Sequence, residues 1–583
     1  MPLNADPSIT DSPHAAVLDA ARRGPEQDDA VPLAAFDALP RLGWWNAYFL
    51  AKLALLWQGV IGLHGLENLA FAAALLVPLR RRGLAVARAW VAVPVGLALL
   101  YHDSLLPPLS RLFAQASLVS SFSPSYLAEI AQRFISWPAV AAIVAAVAGY
   151  SIVAQRLRVG VLVMATLAVL TVLQRPAAPT LAGAPPQASS AAGGVAQRGA
   201  AGAAQGGAGG AAQSAAGREP SDLDAVLRER YASEATRQVP FPKPVAAAVP
   251  FDLIFLHVCS MSWDDLRATG LDRHRLLERL DIVLTRFNSA ASYSGPAVIR
   301  MLRAPCGQLP HGALYSQPEQ SGCYLMPALK QAGFDTRLAL NHDGHFDDFL
   351  GIVRAQGNQG LQALPLDSLP VAQRSFDDSP IYDDLAVLRR SAESAATGGA
   401  ARVATYFNTI SLHDGNRLVG ANSGLNSLAS YKLRLNKLLD DIDAFMTELE
   451  RGGRRAVVVL LPEHGAGFRG DRMQIAGMRE VPTPAITQVP VGLKVLGPGA
   501  RRSGEAMRVD SPTSYLAVST LIARLLERPP YGASGFAPAD YARDLPATPF
   551  IAENSGTVML GKDDKYFLRI GNQGWSEYNG AQP

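Results

Sequence analysis

The sequence predicts an α-helical membrane domain followed by an α/β soluble domain with a doubly wound, mostly parallel sheet. Three observations carry this. Apolar runs almost free of charge crowd into one early block, a tract of Ala, Gly, Gln, Ser and Pro follows, and from Phe251 strand and helix patterns alternate. A chain of 583 residues exceeds one typical domain. Its net charge of +3 gives no electrostatic case for a nucleic-acid partner.

Residues 1–42 are polar and lack the basic start and short apolar core of a cleavable signal, so they read as a cytoplasmic tail. Apolar runs then lie near Trp44–Gly62, Leu66–Leu79, Ala87–Tyr101, Trp137–Val153 and Val159–Leu173. Several fall short of the ~20 residues that cross a bilayer, so their ends extend into flanking sequence; the count is about five helices over residues 43–174. Arg80, Arg81 and Arg82, and later Arg156 and Arg158, mark cytoplasmic loops. The amino terminus is then inside, while the Asp103–Ser136 loop and everything after Arg175 lie outside. Buried helices of a soluble domain are the alternative, and the clustering of uncharged runs argues against it.

Residues 175–249 form the linker, purest from Ala188 to Gly217, where too little apolar surface exists to offset chain entropy. About 65 flexible residues would reach roughly 45 Å. Ser221–Thr236 has helical spacing behind a serine cap and interrupts the tether.

In the soluble domain, residues 250–545, strands are expected at Leu253–Val258, Ala404–Ile410, Val457–Leu461 and Val491–Leu496. Helices are expected at Leu276–Phe287, Leu428–Arg451 and Pro512–Leu526. Chemistry in open α/β sheets sits just past the carboxyl ends of strands, and several of these runs end in reactive residues. The run through Leu461 is followed by Glu463 and His464, an oxygen and a nitrogen donor for a zinc-like cation, or else a loop ion pair. Cys259 follows the first strand, and His413 and Asp414 the second. Of the three cysteines, Cys306 and Cys323 lie in one Gly/Pro/Ser-rich loop and are paired as a disulfide. Cys259 is left single outside the membrane, either ligating a metal as thiolate or simply buried. Ser294 reads as the N-cap of a helix with Pro296 in its first turn. Such a serine is usually only a cap, but a helix amino terminus also attracts phosphate, and a metal-bound serine can act as nucleophile.

Taken together, the stretches His257–Leu266, Ser292–His311, Asn341–Leu350, Asn408–Arg417 and Leu460–Arg472 resemble the alkaline-phosphatase/sulfatase superfamily. More closely they resemble BcsG-type cellulose phosphoethanolamine transferases, with a matching membrane layout. That resemblance implies an alkaline-phosphatase-like fold, zinc held by Cys259, Ser294, Glu463 and His464, and Ser294 as nucleophile. It further implies that His413 assists the leaving or incoming hydroxyl, that Tyr293 and Arg479 hold the phosphate, and that a Cys–Cys bridge is present. The cysteine-and-serine form at positions 259 and 294 favours the cellulose branch over the lipid A branch. A sulfatase would want its Arg two positions earlier than Arg300. The implied activity moves phosphoethanolamine from phosphatidylethanolamine, through a serine intermediate, to glucose 6-hydroxyls of nascent cellulose. The implied setting is the bacterial inner membrane, beside cellulose synthase subunits, with the catalytic domain in the periplasm. Rival readings are a lipid A, other-glycan or phosphoglycerol transferase, and a membrane scaffold of a cellulose synthase complex.

Other features stay open from sequence. His342 and His345 line a substrate cleft or are solvated loop residues. Trp263, Asp264 and Asp265 shape an acceptor groove or serve packing and the helix start. Residues 546–583 carry a β-hairpin at Thr557–Ile570 and a tail without evident chemistry.

Overall fold

The computed structural model describes residues 42–57, 61–79, 81–103, 122–134, 145, 148–150, 159–173, 222–243, 249–316, 321–358, 360–420, 425–471, 473–474, 476–532, 535–571 and 573–580. The chain divides into two compact units, residues 1–106 with 137–191, and residues 107–136 with 192–583.

In the first unit the helices are Trp45–Trp57, Gly65–Leu76, Arg82–Asp103 and Val159–Leu173. Phe49, Ala72, Ala92, Val163 and Leu167 form its small core, while Trp90, Leu97 and Val161 are exposed, the outward apolar surface a lipid-facing helix would show. Among the described residues, only the 22-residue Arg82–Asp103 helix is long and apolar enough to cross a membrane. The tail and the apolar run at Trp137–Val153, apart from residues 145 and 148–150, lie outside the described residues, as does the linker from 174 to 221.

The second unit is built on a seven-stranded sheet. Its strands, and those of two smaller sheets, are β1 (Asp252–Val258), β2 (Ile282–Asn288), β3 (Asp335–Leu340), β4 (Val371–Arg374), β5 (Pro380–Tyr382), β6 (Val403–Thr409), β7 (Arg417–Leu418), β8 (Ala456–Pro462), β9 (Gln488–Leu496), β10 (Met507–Val509), β11 (Ile551–Asn554), β12 (Thr557–Lys562), β13 (Lys565–Ile570) and β14 (Ser576–Glu577). The large sheet runs β10-β2-β9-β8-β1-β6-β3. β1 pairs parallel with β6 and β8, β3 with β6 and β10 with β2, whereas β9 is antiparallel to both its neighbours, so the sheet is mixed. Every residue of β1, β6 and β8 is buried, as central strands covered on both faces require. Side chains alternate between the faces: Leu253, Phe255, Val457 and Val459 enter one core and Ile254, Leu256, Val458 and Leu460 the other. Leu521, Ile522 and Leu525 of helix Tyr515–Glu527 cover the first face. Leu435, Leu438 and Ile442 of helix Ser427–Arg451 cover the second.

The helix expected at Leu276–Phe287 is a correction. A five-residue helix, Arg275–Arg279, is followed by β2. Ile282, Val283 and Thr285 are β-branched, and the slot between β10 and β9 rewards the extended form.

The C-terminal hairpin pairs β12 with β13 around Asp563 and Asp564, both at positive φ, as a two-residue type I′ turn demands. Helix Asp222–Glu234, from the segment assigned to the linker, packs Leu223, Val226 and Leu227 against Ile551, Val558 and Leu560 of that sheet. Arg230 donates to the Gly561 carbonyl at 2.6 Å.

Cys306 and Cys323 form a disulfide with Cα atoms 5.2 Å apart, closing a 17-residue loop. Replacing both with serine should lower the unfolding free energy of the second unit by about 3 kcal/mol. The check is the denaturation midpoint of the purified full chain, with bound metal measured in parallel.

Candidate active site and metal centre

The site is assembled by strand register. β1 and β8 run parallel with Val258 opposite Pro462, so the next residues, Cys259 and Glu463, emerge side by side at the carboxyl edge. Backbone bonds fix them there: Cys259 N–H donates to Thr409 O at 3.0 Å, Glu463 N–H to Val258 O at 2.8 Å and Met261 N–H to His464 O at 2.6 Å. One ligand atom from each of Cys259, Glu463 and His464 lies within 4.8 Å of the others. All three residues are fully buried.

The chemistry of this trio fits a cation. His464 Nδ1 lies 2.9 Å from the Gly465 carbonyl, so that nitrogen carries the hydrogen and Nε2 keeps its lone pair. Nε2 has no hydrogen-bond partner, and neither has Glu463 Oε2, 3.6 Å away. Orphaned buried polar atoms are costly, and a shared metal ion would satisfy both. Burial pushes the Glu463 carboxyl up to about 7 and the Cys259 thiol up to about 12, and drives the His464 imidazole down. Burial dominates all three; the Arg479 charge adds to the lowering of His464 and only partly offsets the other two, and a divalent ion would reverse those two.

Ser294 lies beside this trio, with its Oγ 3.6 Å from Cys259 Sγ. Its expected role as N-cap is corrected: extended Tyr293 is the N-cap, without a side-chain capping bond, and Ser294 is the first residue of helix Ser294–Leu302. The hydroxyl is therefore not occupied in capping. The buried Arg479 guanidinium donates from Nη1 to Ser260 Oγ at 3.2 Å and sits 5.5 Å from the centre of the Tyr293 ring. The Tyr293 hydroxyl donates to Glu480 at 2.8 Å. His413 Nδ1 lies 2.7 Å from the Asp414 carbonyl, which again leaves the lone pair on Nε2. Burial, aided by the Arg479 charge, pushes His413 down to about 4, so it rests neutral. A cavity of about 370 Å³ is lined by Tyr293, Ser294, His413 and Arg479, together with His342, His345 and several carboxylates.

Some residues at the site escaped sequence reasoning. Asn408, near the end of β6, donates to Glu463 Oε1 at 2.6 Å and places its Oδ1 3.0 Å from His342 Nε2. His257, near the end of β1, lies 3.5 Å from Glu463 Oε1 and 2.8 Å from the Tyr406 hydroxyl. Ser260 adopts φ 62° and sets its Oγ 3.2 Å from Cys259 Sγ. Asn554, from the terminal sheet, donates to the Arg479 carbonyl at 2.9 Å and lines the cavity. The only available signal was that Asn408 and His257 are polar residues inside otherwise apolar strands. Asp265 proves to be a helix-start residue: it forms a capping box with Ser262 and accepts from Ala466 N–H at 2.7 Å, bracing the loop after His464.

A serine hydroxyl beside three buried potential metal ligands is an arrangement phosphoryl transfer can use. Residues 208–575 match the cellulose biosynthesis protein BcsG C-terminal domain, and residues 45–172 the BcsG N-terminal domain. The chain is 40% identical over 563 residues to cellulose biosynthesis protein BcsG of Escherichia coli K12, covering 95% of this chain and 99% of that protein. To the Salmonella typhimurium BcsG it is 39% identical, covering 92% and 96%. The chain belongs to the BcsG family, a family of phosphoethanolamine transferases, as the five motif stretches implied. A solved structure of an alkaline phosphatase superfamily protein from Vibrio parahaemolyticus has a TM-score of 0.42 and 12% identity, covering 61% of this chain and 88% of that one. A likeness at that level carries no functional argument.

The raised thiol and carboxyl make metal binding a proton-releasing event. Calorimetric titration of the metal-stripped protein in buffers of different ionisation enthalpy should show about two protons released per ion at pH 6 and about one at pH 8. Affinity should fall as pH falls. A titration that releases no proton would remove Cys259 from the ligand set.

Proposed function

We propose that this chain is a multi-pass inner-membrane, zinc-dependent transferase with its catalytic domain in the periplasm. It moves phosphoethanolamine from phosphatidylethanolamine to glucose 6-hydroxyls of nascent cellulose, beside subunits of a cellulose synthase complex. The observation that carries this reading is the placement of Ser294 Oγ within 3.6 Å of the Cys259 sulfur, itself grouped with Glu463 and His464. Relatives named for cellulose biosynthesis support the acceptor. The Arg-flanked apolar runs support about five spans over residues 43–174, followed by a linker that ends before helix Asp222–Glu234, a catalytic domain against which that helix packs, and a terminal hairpin over 546–583.

Cys259, Glu463 and His464, with Ser294, would hold the zinc, which when bound supplies positive charge that lowers the serine pKa and stabilises the transferring phosphoryl group. In the first half-reaction Ser294 Oγ forms a bond to phosphorus, the phosphorus–diacylglycerol oxygen bond breaks, and the Ser294 proton ends on diacylglycerol. In the second, a glucose 6-oxygen attacks phosphorus, the Ser294 ester bond breaks, and the hydroxyl proton returns to Ser294. His413 rests neutral, so in each half it takes the proton from the attacking hydroxyl and gives it to the departing oxygen. Arg479, with Tyr293 beneath it, neutralises the non-reacting phosphate oxygens.

The ethanolamine end is an ammonium group, and the cavity carries matching carboxylates, Asp343, Asp347 and Asp377. His345 lies 2.5 Å from Asp343 and 3.0 Å from Asp377, bridging those two. Asp347 stands apart from that pair, at φ 52°, its carboxyl raised by burial and by neighbouring Asp348. An ammonium beside it would offset the burial, whereas a glycerol hydroxyl offers no charge.

With a soluble phosphoethanolamine donor, intact-mass analysis should detect a phosphoethanolamine adduct on the wild-type chain and none on Ser294→Ala. Ethanolamine label that persists on the variant refutes the nucleophile. Asp347→Asn should raise KM about tenfold for a phosphoethanolamine donor while leaving a phosphoglycerol donor unaffected, a split read from steady-state kinetics on the two substrates.

A further inference from the structure

The stretch Asp103–Ser136 is expected from sequence to be an external loop. It contains helix Pro124–Phe134, which belongs to the catalytic unit. Its attachments fall on Phe376, Gly415 and Ser427, which surround the loop carrying His413. Ser123 N–H donates to the Phe376 carbonyl at 2.9 Å. The rings of Phe122 and Tyr126 pack on Phe376 at 5.4 and 5.9 Å, and Phe376 lies 5.5 Å from the His413 ring. Gly415, two residues past His413, has φ +86°, and a Cβ there would stand 2.8 Å from the Tyr126 ring, so the close approach requires glycine. Glu129 accepts from Ser427 N–H at 3.0 Å and lies 2.6 Å from Ser427 Oγ. That same hydroxyl is 2.6 Å from Asp414 Oδ1, and the Asp414 carbonyl holds His413 Nδ1. On its other side the His413 loop is held by buried Arg434, which donates to the carbonyls of Ser411 at 2.7 Å and His413 at 3.1 Å.

We propose that helix Pro124–Phe134 is part of the catalytic machinery, with Tyr126 and Glu129 as positioning residues that set the His413 loop over the cavity. This rests on the proton-transfer role given to His413 above. The loop has two fixed sides, Arg434 from the catalytic core and the Tyr126–Glu129 face from a segment nearly three hundred residues earlier in the chain. Without the second, Phe376 and Asp414 lose the contacts that orient the imidazole. The proton acceptor is then misplaced while the metal trio and Ser294, held by β1, β8 and helix Ser294–Leu302, stay where they are.

The test uses the full chain in detergent or proteoliposomes with a phosphoethanolamine donor. Tyr126→Ala and Glu129→Ala should each lower kcat about tenfold, with KM and zinc content unchanged. Tyr126→Phe, which keeps the ring, and Glu129→Gln, which keeps the acceptor, should retain near wild-type kcat. In a His413→Gln background the two alanine substitutions should cost less than about twofold further, because the group they position is gone. Losses that add fully in that background, loss of zinc in the alanine variants, or wild-type kcat in both overturns the proposal. A His413→Gln enzyme as fast as the wild type refutes instead the role of His413, and the proposal with it.

Discussion

Parallel pairing of β1 with β8, with Val258 set against Pro462, is the constraint on which the site depends. It delivers a thiol and a carboxylate, two hundred residues apart in sequence, to adjacent positions at one edge, and β6 on the far side of β1 delivers Asn408 to the same corner. All of these groups are out of water. Burying a carboxylate or thiolate without a close counter-charge costs several kcal/mol, and burial favours the protonated form of Glu463 and Cys259, with Arg479 only partly offsetting it. The arrangement is therefore poor as protein and good as a cation receptor. The surrounding bonds fit that purpose: Tyr431 donates to Ser260 O at 2.6 Å, and Asp265 gathers the backbone N–H groups of Ala466 and Phe468. They hold the donors without satisfying the two ligand atoms that face each other, Glu463 Oε2 and His464 Nε2.

Both signs of charge line the adjoining cavity. Arg479 and the first turn of helix Ser294–Leu302 place positive potential beside Ser294, whereas Asp343, Asp347, Asp377 and Glu480 contribute carboxylates to the lining. In the proposed reaction a phosphate would face the first set and an ammonium the second, and charge fixed in place before reaction is where such enzymes gain most of their rate. His413 adds no charge to either set. A protonated imidazole beside Arg479 would add a second positive charge in a buried place, so the same two influences that lower its pKa also keep it ready to accept a proton.

The strand ends were legible because a central parallel strand has no solvent-facing side. Val457–Leu461 can be little else, and a Glu-His pair directly after it stands out. β2 was not legible. Its Ile-Val-Leu-Thr-Arg-Phe pattern follows a genuine helical turn, and only the opening between β10 and β9 decides that it extends. Ser294 was legible as a helix start but misplaced by one position, since the chain reaches the helix through extended Tyr293 and leaves the serine hydroxyl for chemistry. Asn408, Asn554 and His257 could not be assigned, because each acts through a partner that is distant in sequence.

Composition misleads most where a segment is short. Helix Asp222–Glu234 was legible as a helix from its spacing behind Ser221, but its place just past an Ala/Gly tract assigned it to the linker; helix Pro124–Phe134, between apolar runs, was read only as loop. Neither has enough apolar surface to fold alone. Each is fixed by a few specific contacts: Leu223, Val226 and Leu227 on the terminal sheet, and Tyr126 and Glu129 on the His413 loop. A boundary drawn at residue 249 from composition would remove both from the catalytic unit. The cut would expose Ile551, Val558 and Leu560 on one side and Phe376 and Gly415 on the other. The cavity loop would then keep its chemistry in sequence while losing the packing that places it.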